Sequence, residues 1–235
     1  MSKRSLLSLF WFMALMIIVH SGSIAAPQKE ERQIKSFTKV SLSISADVYL
    51  TQGNKTELIL EGDAETLQHI ETEVENGTLK IKYDKWRMQN TKKVVIHLSS
   101  ANYEGLYVAG SGDITAQTQI SGNMMNLAVS GSGSINIKSL QTDQIEAKIS
   151  GSGDINLGGS KMASSMEIAI SGSGDIDVSS LQIEDVSVSI SGSGGARVHA
   201  VSKLKVQISG SGNVHYSGDA QIDARISGSG KVKPL

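Results

Sequence analysis

The sequence predicts an all-β fold, a parallel β-helix-like solenoid whose repeats are about 20 residues long, and three observations lead there. A block (A/S)GSG begins at residues 109, 130, 150, 171, 191, 209 and 227, at spacings of 21, 20, 21, 20, 18 and 18. On both sides of each block apolar and polar residues alternate with the period of a strand. The composition, with 24 Gly, 2 Pro and 4% aromatic residues, suits a thin core of β-branched side chains better than a thick globular one.

In chain order, residues 1–26 read as a signal peptide. Lys3 and Arg4 precede an apolar run from Leu6 to Val19, and Ser23, Ile24, Ala25 and Ala26 form a small-residue cleavage site before Pro27. The run is short for a membrane span, and no second apolar segment follows, so no integral membrane segment is expected after the signal is removed. The product is expected to be periplasmic or secreted. With no cysteine it must fold without disulfides or a lipidated thiol.

Residues 27–100 predict an N-terminal β-rich cap or a set of irregular first coils. Phe37 to Leu50 reads as strand, Gln52 to Lys55 as a turn, and Thr56 to Glu61 as strand again. Between Ala64 and Glu75, Leu67, Ile70 and Val74 fit a short helix, with extended structure as the alternative. Asn76-Gly77 before Thr78 to Tyr83 is a hairpin signal, and Lys93 to Ser99 alternates once more. Most aromatics outside the signal lie at or before Tyr107, as expected if this part covers one end of a solenoid. Trp86, between Lys85 and Arg87, reads as cap packing or as a ligand contact.

Residues 101–235 predict the SGSG-repeat β-solenoid, continuous with the preceding part. Val108, Val129, Ile149, Ile170, Ile190, Ile208 and Ile226 stand one residue before the blocks and are expected inside. After the blocks Ile114, Ile135, Ile155, Ile176, Ala196, Val214 and Val232 are expected inside, with Thr115, Asn136, Asn156, Asp177, Arg197 and His215 facing out. A third, less regular side includes Leu140, Leu181, Ile183 and Leu204. The glycines of each corner serve positive φ or close passage of the chain. At the far end Lys231, Lys233 and Pro234 are expected to discourage further strand pairing.

Few residues suggest chemistry. A formal charge of −1 provides no basic field, so nucleic-acid binding is not expected. Asp154 and Asp175 occupy equivalent corner positions and are the candidates for a shared hard cation; the alternative is a corner hydrogen-bonding or surface role. Asp154, Asp175 and Asp177 are also the carboxylates to consider for glycan cleavage, which needs an acid facing a base or nucleophile. No arginine or aromatic companions are expected beside them in neighbouring repeats, and the histidines His69, His97, His199 and His215 are scattered, so neither an enzyme nor a cofactor is expected.

The repeated Ile-Ser-Gly-Ser-Gly-Asp-Ile phrase, with the front segment Phe37 to Gly53 and the later Leu79 to Tyr83, resembles the DUF2807 family, described as an auto-transporter adhesin head GIN domain. The resemblance covers roughly residues 35–230. It implies an exported domain with a right-handed parallel β-helix or closely related solenoid, and it supplies no catalytic motif. No outer-membrane barrel is expected after residues 231–235, unlike an autotransporter. The leading expectation is a noncatalytic envelope or adhesin-like protein that contacts an envelope protein or glycan through Thr115, Asn136, Asn156 and Asp177. The alternatives are an extracellular polysaccharide-active enzyme and a periplasmic structural or assembly factor.

Overall fold

The computed structural model describes residues 27–84 and 92–235; the signal segment and Trp86 lie outside them. In chain order the strands are β1 (Gln28–Glu31), β2 (Lys39–Leu42), β3 (Asp47–Gln52), β4 (Glu57–Gly62), β5 (Ile70–Glu75), β6 (Thr78–Tyr83) and β7 (Val95–Ser100). They continue as β8 (Gly105–Gly110), β9 (Asp113–Ala116), β10 (Ile120–Ser121), β11 (Met124–Gly131), β12 (Ser134–Ile137), β13 (Leu140–Gln141) and β14 (Gln144–Gly151). The last are β15 (Asp154–Gly158), β16 (Ala163–Gly172), β17 (Asp175–Gly192), β18 (Gly195–Gly210), β19 (Asn213–Ser217), β20 (Gln221–Gly228) and β21 (Lys231–Pro234), and one helix, α1 (Ala64–Leu67), follows β4.

Alternating side chains and short corners wind these strands into a parallel β-solenoid with two long faces. The first face stacks β5, β6, β2, β8, β11, β14, β16, β17, β18 and β20 in that order. The second stacks β1, β4, β7, β3, β9, β12, β15, β17, β18, β19 and β21. β17 and β18 serve both faces because they bend through the third side without a break in the strand. In earlier coils that side is the short β10–β13 pair, where Ile120 meets Leu140.

The interior is a set of aliphatic columns. Ile149 pairs with Ile170 and Ile170 with Ile190, and all three are buried. Leu140, Leu181 and Ile183 close the third side, also buried, whereas Leu204, expected there as well, lies on the first face, because the register pairs it with Val186 and Ile222. Such columns require each coil to repeat its neighbour's pattern, since a slip of one residue would turn every apolar side chain outward.

The corner is set by backbone packing. Gly172 has φ of 131°, and a Cβ there would lie 2.3 Å from the Gly151 carbonyl oxygen. The second glycine of the same block, Gly174, would bring a Cβ within 2.1 Å of the Gly153 oxygen. Through this gap Ser173 N–H donates to Gly151 O at 2.8 Å, so the missing side chain is replaced by a hydrogen bond between coils.

Two segments differ from expectation. Phe37 to Leu50 is two strands, because Ser43 to Ala46 turns a corner between β2 and β3 with Ile44 and Ala46 buried. β2 pairs with β8 and β3 with β9, so this is a corner of the same column built without glycine. From Ala64 to Glu75 the helix holds only as α1; Ile70–Glu75 is a strand, because it pairs antiparallel with β6 through Asn76 (φ 49°) and Gly77 (φ 72°).

The coils near the N-terminus also stack out of chain order. Residues 39–52 form a layer between the layer of β6 and β7 and the layer of β8 and β9. Phe37 meets Tyr103 edge-on at 6.2 Å where the chain crosses back. The Tyr103 hydroxyl donates to the carbonyls of Thr51 and Leu98 at 3.3 and 3.4 Å, and burial pushes its pKa well above that of an ordinary phenol.

Gly172→Ala combines a left-handed φ with a backbone clash and is expected to cost about 3 kcal/mol or more, read as a lowered denaturation midpoint. Gly110→Ala shares the unfavourable φ, 145°, but would meet nothing within 4 Å, and is expected to cost only about 1–2 kcal/mol. Ile170→Ala, which opens a cavity in the central column, is expected to cost about 3 kcal/mol in the same measurement.

Candidate functional site

On the second face the outward residue at the centre of each strand falls into one straight ladder. Pairing places His97, Tyr49, Thr115, Asn136, Asn156, Asp177, Arg197, His215 and Lys233 side by side. Thr115, Asn136, Asn156 and Asp177, expected from the alternation to face outward, are brought together and line a groove of about 540 Å³ with Lys138 and Ser180.

The ladder is held by its own polar bonds. Asn156 Nδ2 donates to Asn136 Oδ1 at 2.9 Å, and Asn136 Nδ2 donates to Ser134 Oγ at 3.1 Å. Asp177 Oδ1 accepts from Ser179 N–H and Oγ–H at 3.1 and 2.7 Å, and its Oδ2 lies 3.5 Å from Arg197 Nη1, so Asp177, contrary to expectation, has an arginine companion on the next coil, because the register sets the two side by side. The middle of the groove is therefore a row of amides and hydroxyls already oriented, with one ion pair at its edge.

Sequence reasoning missed the aromatic end of the ladder. Tyr49 stacks on His97 with ring centroids 5.6 Å apart and an interplanar angle of 25°, and Tyr49 stands next to Thr115. Tyr49 precedes Thr115 by 66 residues and lies in a coil without the glycine signature, so repeat spacing alone could not align them. The signal was the shared pattern of Asp47-Val48-Tyr49 and Asp113-Ile114-Thr115 after their corners.

The corner aspartates bond to the backbone or side chains of the next coil. Asp113 Oδ1 accepts from Ser134 N–H at 2.9 Å, Asp154 Oδ1 from Asp175 N–H at 3.2 Å, and Asp175 Oδ1 from Gly195 N–H at 2.7 Å. Each carboxylate thus ties its coil to the next. Where the ladder ends at Gly195, a Cβ would sit 2.8 Å from Asp175 Oδ1, so glycine makes room for that bond. Asp154, Asp175 and Asp177 are all engaged by backbone groups of their own or the next coil. Among the described residues no group of three or more His, Cys, Asp or Glu side chains is placed to hold a metal ion.

A second groove, of about 480 Å³, runs along the first face between Met124 and Lys205, with Glu146, Glu167, Asp185 and Lys203 on its walls. Its charges are partly paired: Lys148 meets Glu146, which raises the lysine pKa, and Lys203 lies 3.9 Å from Asp185. Among the described residues no helix is long and apolar enough to cross a membrane.

Residues 36–220 match the family model described as "DUF2807: Putative auto-transporter adhesin, head GIN domain". The fold is similar to the crystal structure of a "putative adhesin" from Bacteroides fragilis NCTC 9343, with TM-score 0.85 and 25% identity over 90% of this chain and 98% of that one. It is also similar to a "putative lipid binding protein" from Parabacteroides distasonis ATCC 8503, with TM-score 0.74 and 26% identity over 90% and 98% of the two chains. A "putative adhesin" from Parabacteroides merdae ATCC 43184, 20% identical over 90% and 97%, shares the fold at TM-score 0.71. Comparison with curated proteins gave no significant match.

Removing the inter-coil acceptor in Asp175→Ala is expected to cost about 1–2 kcal/mol. If the corner aspartates serve only as acceptors, millimolar calcium leaves the melting temperature of the parent protein unchanged; a rise that Asp175→Ala abolishes would identify a cation site instead.

Proposed function

The chain belongs to the DUF2807 family, and from that premise we propose that it is a noncatalytic adhesion protein of the cell envelope, exported and binding a glycan along the second face. The observation behind the reading is the ladder itself: Thr115, Asn136 and Asn156 present one hydroxyl and two amides in register, with the Tyr49–His97 stack beside them. Amides and hydroxyls offer both donors and acceptors to sugar hydroxyls, and an aromatic face offers apolar contact to a sugar ring. Neighbouring coils are spaced by about 4.8 Å, so an extended polymer meets the same chemistry several times, and weak contacts add.

A noncatalytic role fits the engagement of Asp154, Asp175 and Asp177 by backbone groups, which leaves none of these carboxylates unattached at a cleavage site. An amphiphile is the second reading: the groove on the first face sets exposed Met124 beside Glu146 and Lys205, and one related structure is named for lipid binding.

Envelope polysaccharide is expected to bind the purified protein, measured by calorimetry. Tyr49→Ala, or Asn136→Ala combined with Asn156→Ala, weakens binding at least about tenfold, equivalent to about 1.4 kcal/mol, with an unchanged circular dichroism spectrum. Release of shortened products from a glycan panel would overturn the noncatalytic reading. Binding to lipid vesicles but to no polysaccharide would favour the groove on the first face.

A further inference from the structure

The two ends of the stack are finished differently. At one end β4 and β5 lie antiparallel over the last parallel strands, with Leu58, Leu60, Leu67 and Ile70 buried. Arg32 fastens this end, donating from Nη2 to the Leu67 carbonyl at 2.9 Å and from Nη1 to the Ile70 carbonyl. The outward residues of β5 are Glu71, Glu73 and Glu75, the first and last paired with Lys82 and Lys80 of β6, and this charged row discourages another strand.

At the other end β20 and β21 are each paired along one edge only among the described residues. Ile222 and Ile226 continue the interior columns of Leu204 and Ile208, yet they are 38% and 43% exposed where their neighbours are buried. Lys231, Lys233 and Pro234 were expected to guard this end, but they stand on the second face and leave β20 open.

The alternation of a parallel ladder determines which backbone groups are free. Ser229 N–H donates back to Gly210 O at 2.9 Å. By the same alternation Asp223 and Arg225 point their N–H and C=O back to β18, whereas Ile222, Ala224 and Ile226 point theirs away from the stack. On β21 Leu235 N–H donates back to Tyr216 O at 2.8 Å, which leaves Val232 and Pro234 facing away. Proline has no N–H to offer, so β20 is the better edge.

We infer that β20 is a dimerisation strand: two copies of this chain join end to end by antiparallel β20–β20 pairing about a two-fold axis at Ala224. In that register Ala224 faces Ala224 of the second copy and Ile222 faces Ile226, and these are the residues whose backbone groups are free. They become the hydrogen-bonded pairs and supply about six inter-chain bonds. Asp223 faces Arg225 in both directions, in the non-hydrogen-bonded positions where opposed side chains come closest. An axis at Asp223 or Arg225 would set like charges against themselves, and an axis at Ile226 would put both against serines. Head-to-tail stacking would have to use the edge of β5, whose Ile70 carbonyl Arg32 already engages, and would leave Asp223 without the Arg225 partner the two-fold register gives it. The two-fold arrangement closes after two copies and covers the exposed isoleucines with the same antiparallel device the chain uses at its other end.

The test is sedimentation equilibrium of the full chain, purified as the cell processes it, with circular dichroism as the control for folding. The parent protein is expected at twice the chain mass at micromolar concentration. Ala224→Pro, which removes an outward N–H and no bond to β18, is expected at the single chain mass with its fold intact. Asp223→Arg alone and Arg225→Asp alone each weaken association at least about tenfold, about 1.4 kcal/mol, by opposing like charges. The two changes together restore opposite charges across the axis and return the dissociation constant to within about threefold of the parent. A single chain mass at every concentration, open-ended growth, or a dimer indifferent to the single charge reversals would each overturn the inference. None of these readouts involves a glycan, so the ligand reading stands or fails separately.

Discussion

The close passage of one corner backbone over the next is the constraint on which the rest of this structure depends. At Gly172 and Gly174 carbonyl oxygens of the preceding coil occupy the space a Cβ would need, and the peptide N–H groups between them bond directly to that coil. Once the corners are fixed at that distance, the strands on either side have no freedom of register. Ile149, Ile170 and Ile190 then have to meet, and so do Asn136 and Asn156 on the outside. The polar ladder and the core column are two products of one backbone geometry, which explains how a chain without cysteine and with few aromatics keeps a long polar surface in order.

Much of this was legible because the repeat is written in glycine. Seven copies of one phrase identified the corners, and alternation sorted interior from exterior through residue 216. Where the constraint is met without glycine the signal fades. Ser43 to Ala46 turns the same corner, but it lies beneath Gly112, so the close approach is relieved from the other side: a Cβ at Gly112 would meet the Ile44 oxygen at 2.4 Å. The residue that has to be small is on the following coil, and the corner itself can keep its side chains. The stretch from Ala64 to Glu75 misled for another reason. Leu67, Ile70 and Val74 fit a helical spacing, yet Ile70, Thr72 and Val74 also fit a strand, and the hairpin at Asn76-Gly77 decided the matter through pairing with β6.

The site was legible in its middle and hidden at one end. Thr115, Asn136, Asn156 and Asp177 could be aligned by counting, because each follows a glycine corner by the same number of residues. Tyr49 and His97 could not, since their coils are reached by a chain that leaves the stack and returns. The corner aspartates show the opposite case. Their equivalence was plain, but their chemistry depended on where the next coil's N–H groups point, which only the three-dimensional structure shows.

The placement of residues 39–52 between two layers that are later in the chain has a consequence for how the molecule assembles. Both of its neighbouring layers come from residues 78–116, so the segment stays unpaired on each side until a stretch of chain more than four times its own length has joined it. Completing that layer is a non-local step, slow relative to the addition of later coils that each fold onto a ready template. The same placement acts as a latch once formed: the segment is gripped from above and below, and fraying from the N-terminal end has to dislodge the layer of β6 and β7 before it can be released.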